Sequence, residues 1–300
     1  MVYNKYTMKT FHNPVLLSEV LASLEPKPGE SYLDLTAGYA GHADQILAIT
    51  RNYKESVLVD RDENSIDFLK AKYQNGEAPE IIHDDFYSAA FSIKSSGKTF
   101  DMILADFGVS SPQLDNKERG FSFQGDGPLD MRMDPSKGKT AADFINHSSL
   151  AELIDIFTKY GELSPGLSRK VALKVIQSRP INTTMALAET VKTVLPRHGR
   201  IHPEARVFQA VRIAVNDELN IIEKTLPLLP DLLNPGGRVA IITFHSLEDR
   251  LVKSYFKEAS EYGEESKLEI ITKSPITPES LELGINPRAR SAKLRVAKRV

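Results

Sequence analysis

Residues 31–36, 56–60, 80–83 and 100–106 are short β-prone runs separated by helical stretches, and this alternation constrains the chain more than any other feature. It is the pattern of βαβ units and a parallel sheet. The strand pattern resumes at 237–244, behind the turn-forming cluster Asn234-Pro235-Gly236-Gly237. Residues 268–272 and 292–297 read as late strands that complete the sheet, as an antiparallel edge hairpin. A helix over 15–24 precedes the first strand, with Asn13 as its cap and Pro14 in its first turn.

Between Phe107 and His202 the texture changes. A Gly/Asp-rich stretch at 119–135 leads into helical patterns starting at Ser149, where Glu152 completes a capping box, and at Thr184. Roughly ninety residues of loop and helix between two sheet strands far exceed the dozen a crossover needs. The expected organisation is therefore a discontinuous sheet domain, 1–106 with 203–300, carrying an inserted helical subdomain at 107–202. With 41% hydrophobic and 26% charged residues the chain is an ordinary globular one, which excludes collagen-like, coiled-coil and wholly disordered architectures. The absence of cysteine excludes disulfides, thiolate zinc sites, iron–sulfur clusters and a cysteine nucleophile. The cytoplasm is the expected compartment, since no apolar run reaches the ~20 residues of a membrane span and residues 1–10 lack a signal-peptide core. Oligomeric state is left open, a homodimer included.

The first β-run leads into Asp34-Leu35-Thr36-Ala37-Gly38-Tyr39-Ala40-Gly41-His42, where small residues let backbone approach a ligand at a helix N-terminus. The second ends in Asp60, a carboxylate placed to accept ribose hydroxyls. The third ends in Asp84-Asp85-Phe86, suited to an adenine edge and face, and the fourth in Asp106. A dinucleotide site would need G-x-G-x-x-G, but the corresponding residues are Gly38, Ala40 and Ala43. A nucleoside cofactor without pyrophosphate, S-adenosylmethionine, suits the set better. Asp106-Phe107-Gly108 is not a kinase magnesium motif, since no catalytic-loop or lysine partner accompanies it. The histidines are scattered, and His42, His83 and His245 read as hydrogen-bonded junction residues rather than metal ligands.

From Asp106 to Asp115, Asp-Phe-Gly-Val-Ser-Ser-Pro-Gln-Leu-Asp, the sequence resembles the bacterial small-subunit ribosomal RNA cytosine-N4 methyltransferase family, known as RsmH or MraW. Further blocks agree in order: His12-Asn13-Pro14-Val15-Leu16-Leu17, Arg119-Gly120-Phe121-Ser122-Phe123, Gly127 through Pro135, Arg206 through Ile213 with Asn216 and Glu218, Phe244 through Arg250, and Asn286-Pro287-Arg288-Ala289-Arg290-Ser291. The resemblance implies an α/β, Rossmann-like class I fold, with a mostly parallel seven-stranded sheet and an inserted helical subdomain. It also implies S-adenosylmethionine-dependent methylation of a cytidine N4 amine in the decoding centre of 16S ribosomal RNA, with the small ribosomal subunit as partner. Carried over by position, the cofactor contacts fall on Ala40, Gly41, His42, Asp60, Phe86, Asp106 and Gln113. Two positions depart. The family usually has glycine where this chain has Ala40, and a methyl at the closest backbone approach is expected to weaken cofactor binding, by ~1 kcal/mol if the site needs a positive φ. Leu163 stands where a glutamate is usual.

Cytosine N4 is a poor nucleophile because its lone pair is delocalised, so its methylation needs an acceptor for the N–H. Asp106 is the candidate, either in that role or as a cofactor-positioning residue only. Related amino-methyltransferases use a D/N-P-P-aromatic run here, whereas this chain has Phe107-Gly108-Val109. Phe107, Phe121 and Phe123 are either core or a platform for the unstacked base. Asp130, Arg132 and Asp134 either pair internally or meet substrate. A helix from Pro203 carries Arg206, Gln209, Arg212 and Asn216 on one face, either a solvated stripe or one that binds phosphates or lines the crevice. Ser246 reads as a helix cap. The net charge of −2 announces no nucleic-acid partner, yet Arg288, Arg290, Lys293, Arg295, Lys298 and Arg299 form a basic end without an acid, a candidate phosphate contact led by Arg288 and Arg290.

Overall fold

The computed structural model describes residues 14–195, 202–261 and 266–300, so His12 and Asn13 lie outside the described residues. The chain divides into two units, Met1–Gly108 with Ile221–Val300, and Val109–Asn220.

The first half of the sheet unit runs α1 (Leu17–Leu24), β1 (Tyr32–Asp34), α2 (Gly41–Thr50), β2 (Val57–Asp60), α3 (Glu63–Lys72), β3 (Glu80–His83), α4 (Phe86–Ser96) and β4 (Phe100–Asp106). The strands stop where the sequence turns polar. β1 and the middle of β4 are buried on both faces, as strands covered by helices must be. The caps are local: Asp62 accepts from Asn64 N to start α3, and Asp85 accepts from Tyr87 N and Ser88 N to start α4.

The second unit contains α5 (Ser111–Asp115), α6 (Ala141–His147), α7 (Leu150–Lys159), α8 (Pro165–Gln177), α9 (Thr184–Lys192) and α10 (Pro203–Asn216). Ser149 and Glu152 form the expected capping box, and Thr183 caps α9 one residue before the expected start. Leu153, Phe157, Val171, Val175, Leu187, Val191, Val207 and Val211 build the core of this unit. Because α10 packs on α6, α7 and α9, it belongs here, whereas a division at 202/203 assigns it to the sheet domain. Leu163 is buried in the same core, an apolar role that a glutamate could not fill.

The chain returns through α11 (Glu218–Thr225), α12 (Leu229–Leu232), β5 (Leu233–Thr243), α13 (Ser246–Ser260), β6 (Leu268–Ile270), α14 (Ser280–Ile285) and β7 (Lys293–Arg299). The sheet order is β3-β2-β1-β4-β5-β7-β6, with β1 to β5 parallel and β7 antiparallel to both β5 and β6. This is the mostly parallel seven-stranded, Rossmann-like sheet that the resemblance implies. The late strands pair with each other as expected, but β7 inserts between β5 and the edge strand β6. Strand order reverses between β1 and β4, and it is beyond the carboxyl ends of the strands at such a switch point that open α/β sheets take their ligands.

Candidate active site

Three carboxylates mark the carboxyl ends of β1, β2 and β4. Asp34 is buried; its Oδ2 accepts from the fully buried Tyr32 hydroxyl at 2.7 Å and its Oδ1 from Thr36 N at 3.0 Å. The Thr36 hydroxyl in turn accepts from Asp106 N at 2.6 Å, which ties the β1 turn to the end of β4. Burial pushes the Asp34 carboxyl up to about 7. Asp106 is raised well above the ordinary carboxylate range by burial and by the nearby Asp34 and Glu248 carboxylates. Its Oδ1 is buried without a hydrogen-bond partner. The sequence motif contains Asp34 and Thr36 but gives neither a role of its own. The available signal was Tyr32, two residues before Asp34 and so on the same face of one strand.

The turn after β1 places Ala40 at φ 63°, in the left-handed region, as the N-cap of α2. Its methyl is wholly buried in the core of the sheet unit, beside Leu16, Val20 and Ile46. The condition attached to Ala40, a positive φ, is met, and with the methyl packed in the core the cost falls on the backbone of the turn. Gly41 has a packing reason to be glycine, because a Cβ there would lie 2.8 Å from Pro14 Cγ. His42 Nε2 is 2.9 Å from the Val15 carbonyl, which can only accept, so Nε2 carries the proton. Nδ1 lies 4.0 Å from Asp106 Oδ2. Burial lowers this imidazole to about 4 and keeps it neutral.

Asp60 accepts from Gly38 N at 2.7 Å and from Asp62 N at 2.8 Å, and each oxygen retains a second lone pair for a hydroxyl donor. Burial raises it to about 6. With Gly38 N on Asp60 and Ala40 N on the Ala37 carbonyl, the turn is no phosphate cradle. Carboxyls that accept from hydroxyls, in a turn that cradles no phosphate, suit a phosphate-free nucleoside, the chemistry of S-adenosylmethionine. At β3, Asp85 is engaged in capping α4, while the half-buried Phe86 ring stacks on Phe107 with centroids 5.2 Å apart. Phe107 is only 4% exposed, so it supports Phe86 from beneath and is no base platform.

The remaining candidates belong to the helical unit or to the last part of the sheet unit. Gln113 sits in the helical unit, buried, its Oε1 accepting from Ser110 N at 2.9 Å in a capping box. Phe121 is core, and Phe123 is half-buried with its edge on Phe208 at 5.2 Å. Arg132 makes a two-point ion pair with Asp130. The polar stripe of α10 faces its own unit: Arg206 donates to the Glu162 carbonyl, Gln209 to the Tyr160 carbonyl, and Arg212 binds both Glu218 oxygens at 2.9 Å. Asn216 is buried, bridging Met131 O and Met133 N. Arg206 stays exposed, whereas Gln209, Arg212 and Asn216 are drawn into the unit. The basic end also divides, since Lys293 and Arg295 belong to β7 and bind Asp249 at 3.0 and 2.6 Å, and Arg299 donates to the Leu233 carbonyl. Arg288 and Arg290 precede β7, half-exposed and exposed respectively. His245, not Ser246, is the N-cap of α13, its ring nitrogen accepting from Glu248 N.

The profile of the MraW methylase family matches residues 9–300. A Synechococcus sp. protein described as ribosomal RNA small subunit methyltransferase H is 47% identical over 305 residues, covering 96% of this chain and 92% of that one. Proteins of the same description from Cyanothece sp. and Halothermothrix orenii are 45% and 42% identical, covering 100% and 96% of this chain and 98% of each relative.

Proposed function

Because the chain belongs to the MraW methylase family, whose members use S-adenosylmethionine, we propose that it methylates 16S ribosomal RNA, at the exocyclic N4 amine of a cytidine in the decoding centre. The observation that carries the reading is Asp106 Oδ1, a buried acceptor with no partner at the switch point of the sheet. Within the sheet unit we place the cofactor on Ala40, Gly41, His42, Asp60, Phe86 and Asp106, with Asp60 accepting from the ribose and Phe86 lying against the adenine; Gln113 is carried by the family resemblance alone. Bound S-adenosylmethionine supplies an electrophilic methyl group on a sulfonium.

The chain's own residues handle the proton. In the cofactor-free protein burial and the neighbouring carboxylates favour the protonated form of Asp106, and a cation seated beside it favours the carboxylate. The carboxylate then accepts the amine N–H, which draws the nitrogen lone pair out of the ring and takes up the proton released as the N–C bond forms. Thr36, on the Asp106 amide, and Phe107, whose N–H donates to the Ile242 carbonyl at 3.0 Å, hold this residue in register. We assign RNA contact to Phe123, Arg132, Arg206, Arg212, Arg288 and Arg290; Arg132 and Arg212 are held by carboxylates of their own unit, whereas Arg206 and Arg290 are exposed. Among the described residues no helix is long and apolar enough to cross a membrane, and the proposed compartment is the cytoplasm. Mass-spectrometric mapping of ribosomal RNA from cells with and without the gene tests the assignment. One decoding-centre cytidine should lose its N4 methyl group and regain it on complementation, and an unchanged modification map would refute it.

A further inference from the structure

The carboxyl end of the sheet unit carries an apolar surface that the reaction does not use. Leu281 and Ile285, one helical turn apart on the same face of α14, are 77% and 63% exposed. The helix is held firmly: Glu282 Oε1 accepts from Leu16 N at 2.8 Å, its carbonyl accepts from Asn286 N at 2.6 Å, and Ile276 pairs with Leu294 just upstream in the chain. Register gives its position. Asp106 pairs with Ile242, Ile242 pairs with Leu294, and Lys293 pairs with Thr243 at the last residue of β5. Asp106 and the start of β7 are therefore two strand spacings apart, ~10 Å. The 3-10 turn Pro287–Ser291, with Arg288 and Arg290, joins α14 to that strand at the same end of the sheet.

Resting on the functional reading above, we propose that α14 and the following 3-10 turn form the RNA-docking rim of the sheet unit. Leu281 and Ile285 cover the face of a base next to the extruded cytidine, and Arg288 and Arg290 hold the flanking phosphates. A base that leaves its stack bares the faces of its neighbours, and an apolar side chain against one of them offsets part of the unstacking cost. Two arginines on the adjoining turn match the charge of RNA rather than that of an apolar protein partner.

The test uses full-length enzyme and small ribosomal subunits from a strain lacking the gene. Leu281→Ser with Ile285→Ser should raise KM for the subunit at least tenfold, while kcat at saturation, cofactor Kd and Tm move far less. Arg288→Ala with Arg290→Ala should reduce the salt slope of RNA binding by ~1.4 to 1.8, the loss expected for two phosphate contacts. A wild-type KM in the serine variant overturns the docking rim. So does a serine variant that changes only self-association in sedimentation, which assigns the face to a second copy of the chain. Wild-type enzyme that binds cofactor yet leaves the subunit unmethylated defeats the functional reading instead.

Discussion

Asp106 and Ala40 show how much one position decides. Asp106→Asn keeps the shape and removes the proton acceptor, so kcat should fall by about 10² to 10⁴, with cofactor Kd within a few-fold by calorimetry. Near-normal turnover would reduce the residue to a positioning role. At Ala40, glycine relieves a left-handed strain of ~1 kcal/mol but removes a buried methyl worth a similar amount. Ala40→Gly should therefore leave stability and cofactor Kd nearly unchanged. Ala40→Val combines a β-branched residue at positive φ with overpacking and should destabilise by about 2–4 kcal/mol in denaturant titration. The importance of both positions is legible in the sequence, from an acid at a strand end and a non-glycine in a small-residue turn. That the Ala40 methyl points into the core, and that Asp106 Oδ1 has no partner, depends on residues distant in the chain.

At the scale of elements, α10 carries the clearest lesson. Its polar stripe has the right period for a surface, yet Asn216 serves as a buried brace for the 119–135 loop, where Met131 is held at φ 59°. Gly120 belongs to the same loop: at φ +72° a Cβ would meet Pro128 O at 2.4 Å and Asp130 N at 2.5 Å. Asn216→Ala strands the Met131 carbonyl and the Met133 amide, and should lower stability by roughly 2–4 kcal/mol in chemical denaturation. A loss under about 0.5 kcal/mol, the range of an ordinary surface change, would mean the loop holds itself. Periodicity locates such a helix, but side-chain amides look alike in sequence whether they meet water or a backbone. The basic end follows the same rule. Lys293 and Arg295 read as phosphate ligands until β7 pairs with β5 and places them against Asp249.

For the molecule as a whole, the acidic fringe predicts an unusual pH response. Asp34, Asp60 and Asp106 are raised in the native state, the first two to about 7 and about 6, whereas unfolded carboxyls titrate near 3.9. As pH falls from 8 towards 5 the native protein takes up protons that the unfolded chain does not, so stability rises. His42, lowered to about 4, works against this below pH 6.5, but as one group against three. Below about pH 4 the lowered carboxyls of Asp101, Asp130 and Asp249 become protonated and their ion pairs and hydrogen bonds are lost, so stability falls again. Thermal denaturation of cofactor-free protein should therefore show a higher Tm near pH 5.5 than at pH 8, and a flat or inverted profile would contradict the buried fringe. The amino-acid sequence by itself determined where the strands lie, the Ser149 capping box and the acids at the strand ends, because these follow from neighbours a few residues apart. Tertiary structure alone decided which charges are buried, which unit claims α10, and that the antiparallel β7 enters the sheet beside β5, because burial and pairing are set by residues brought together from far along the chain.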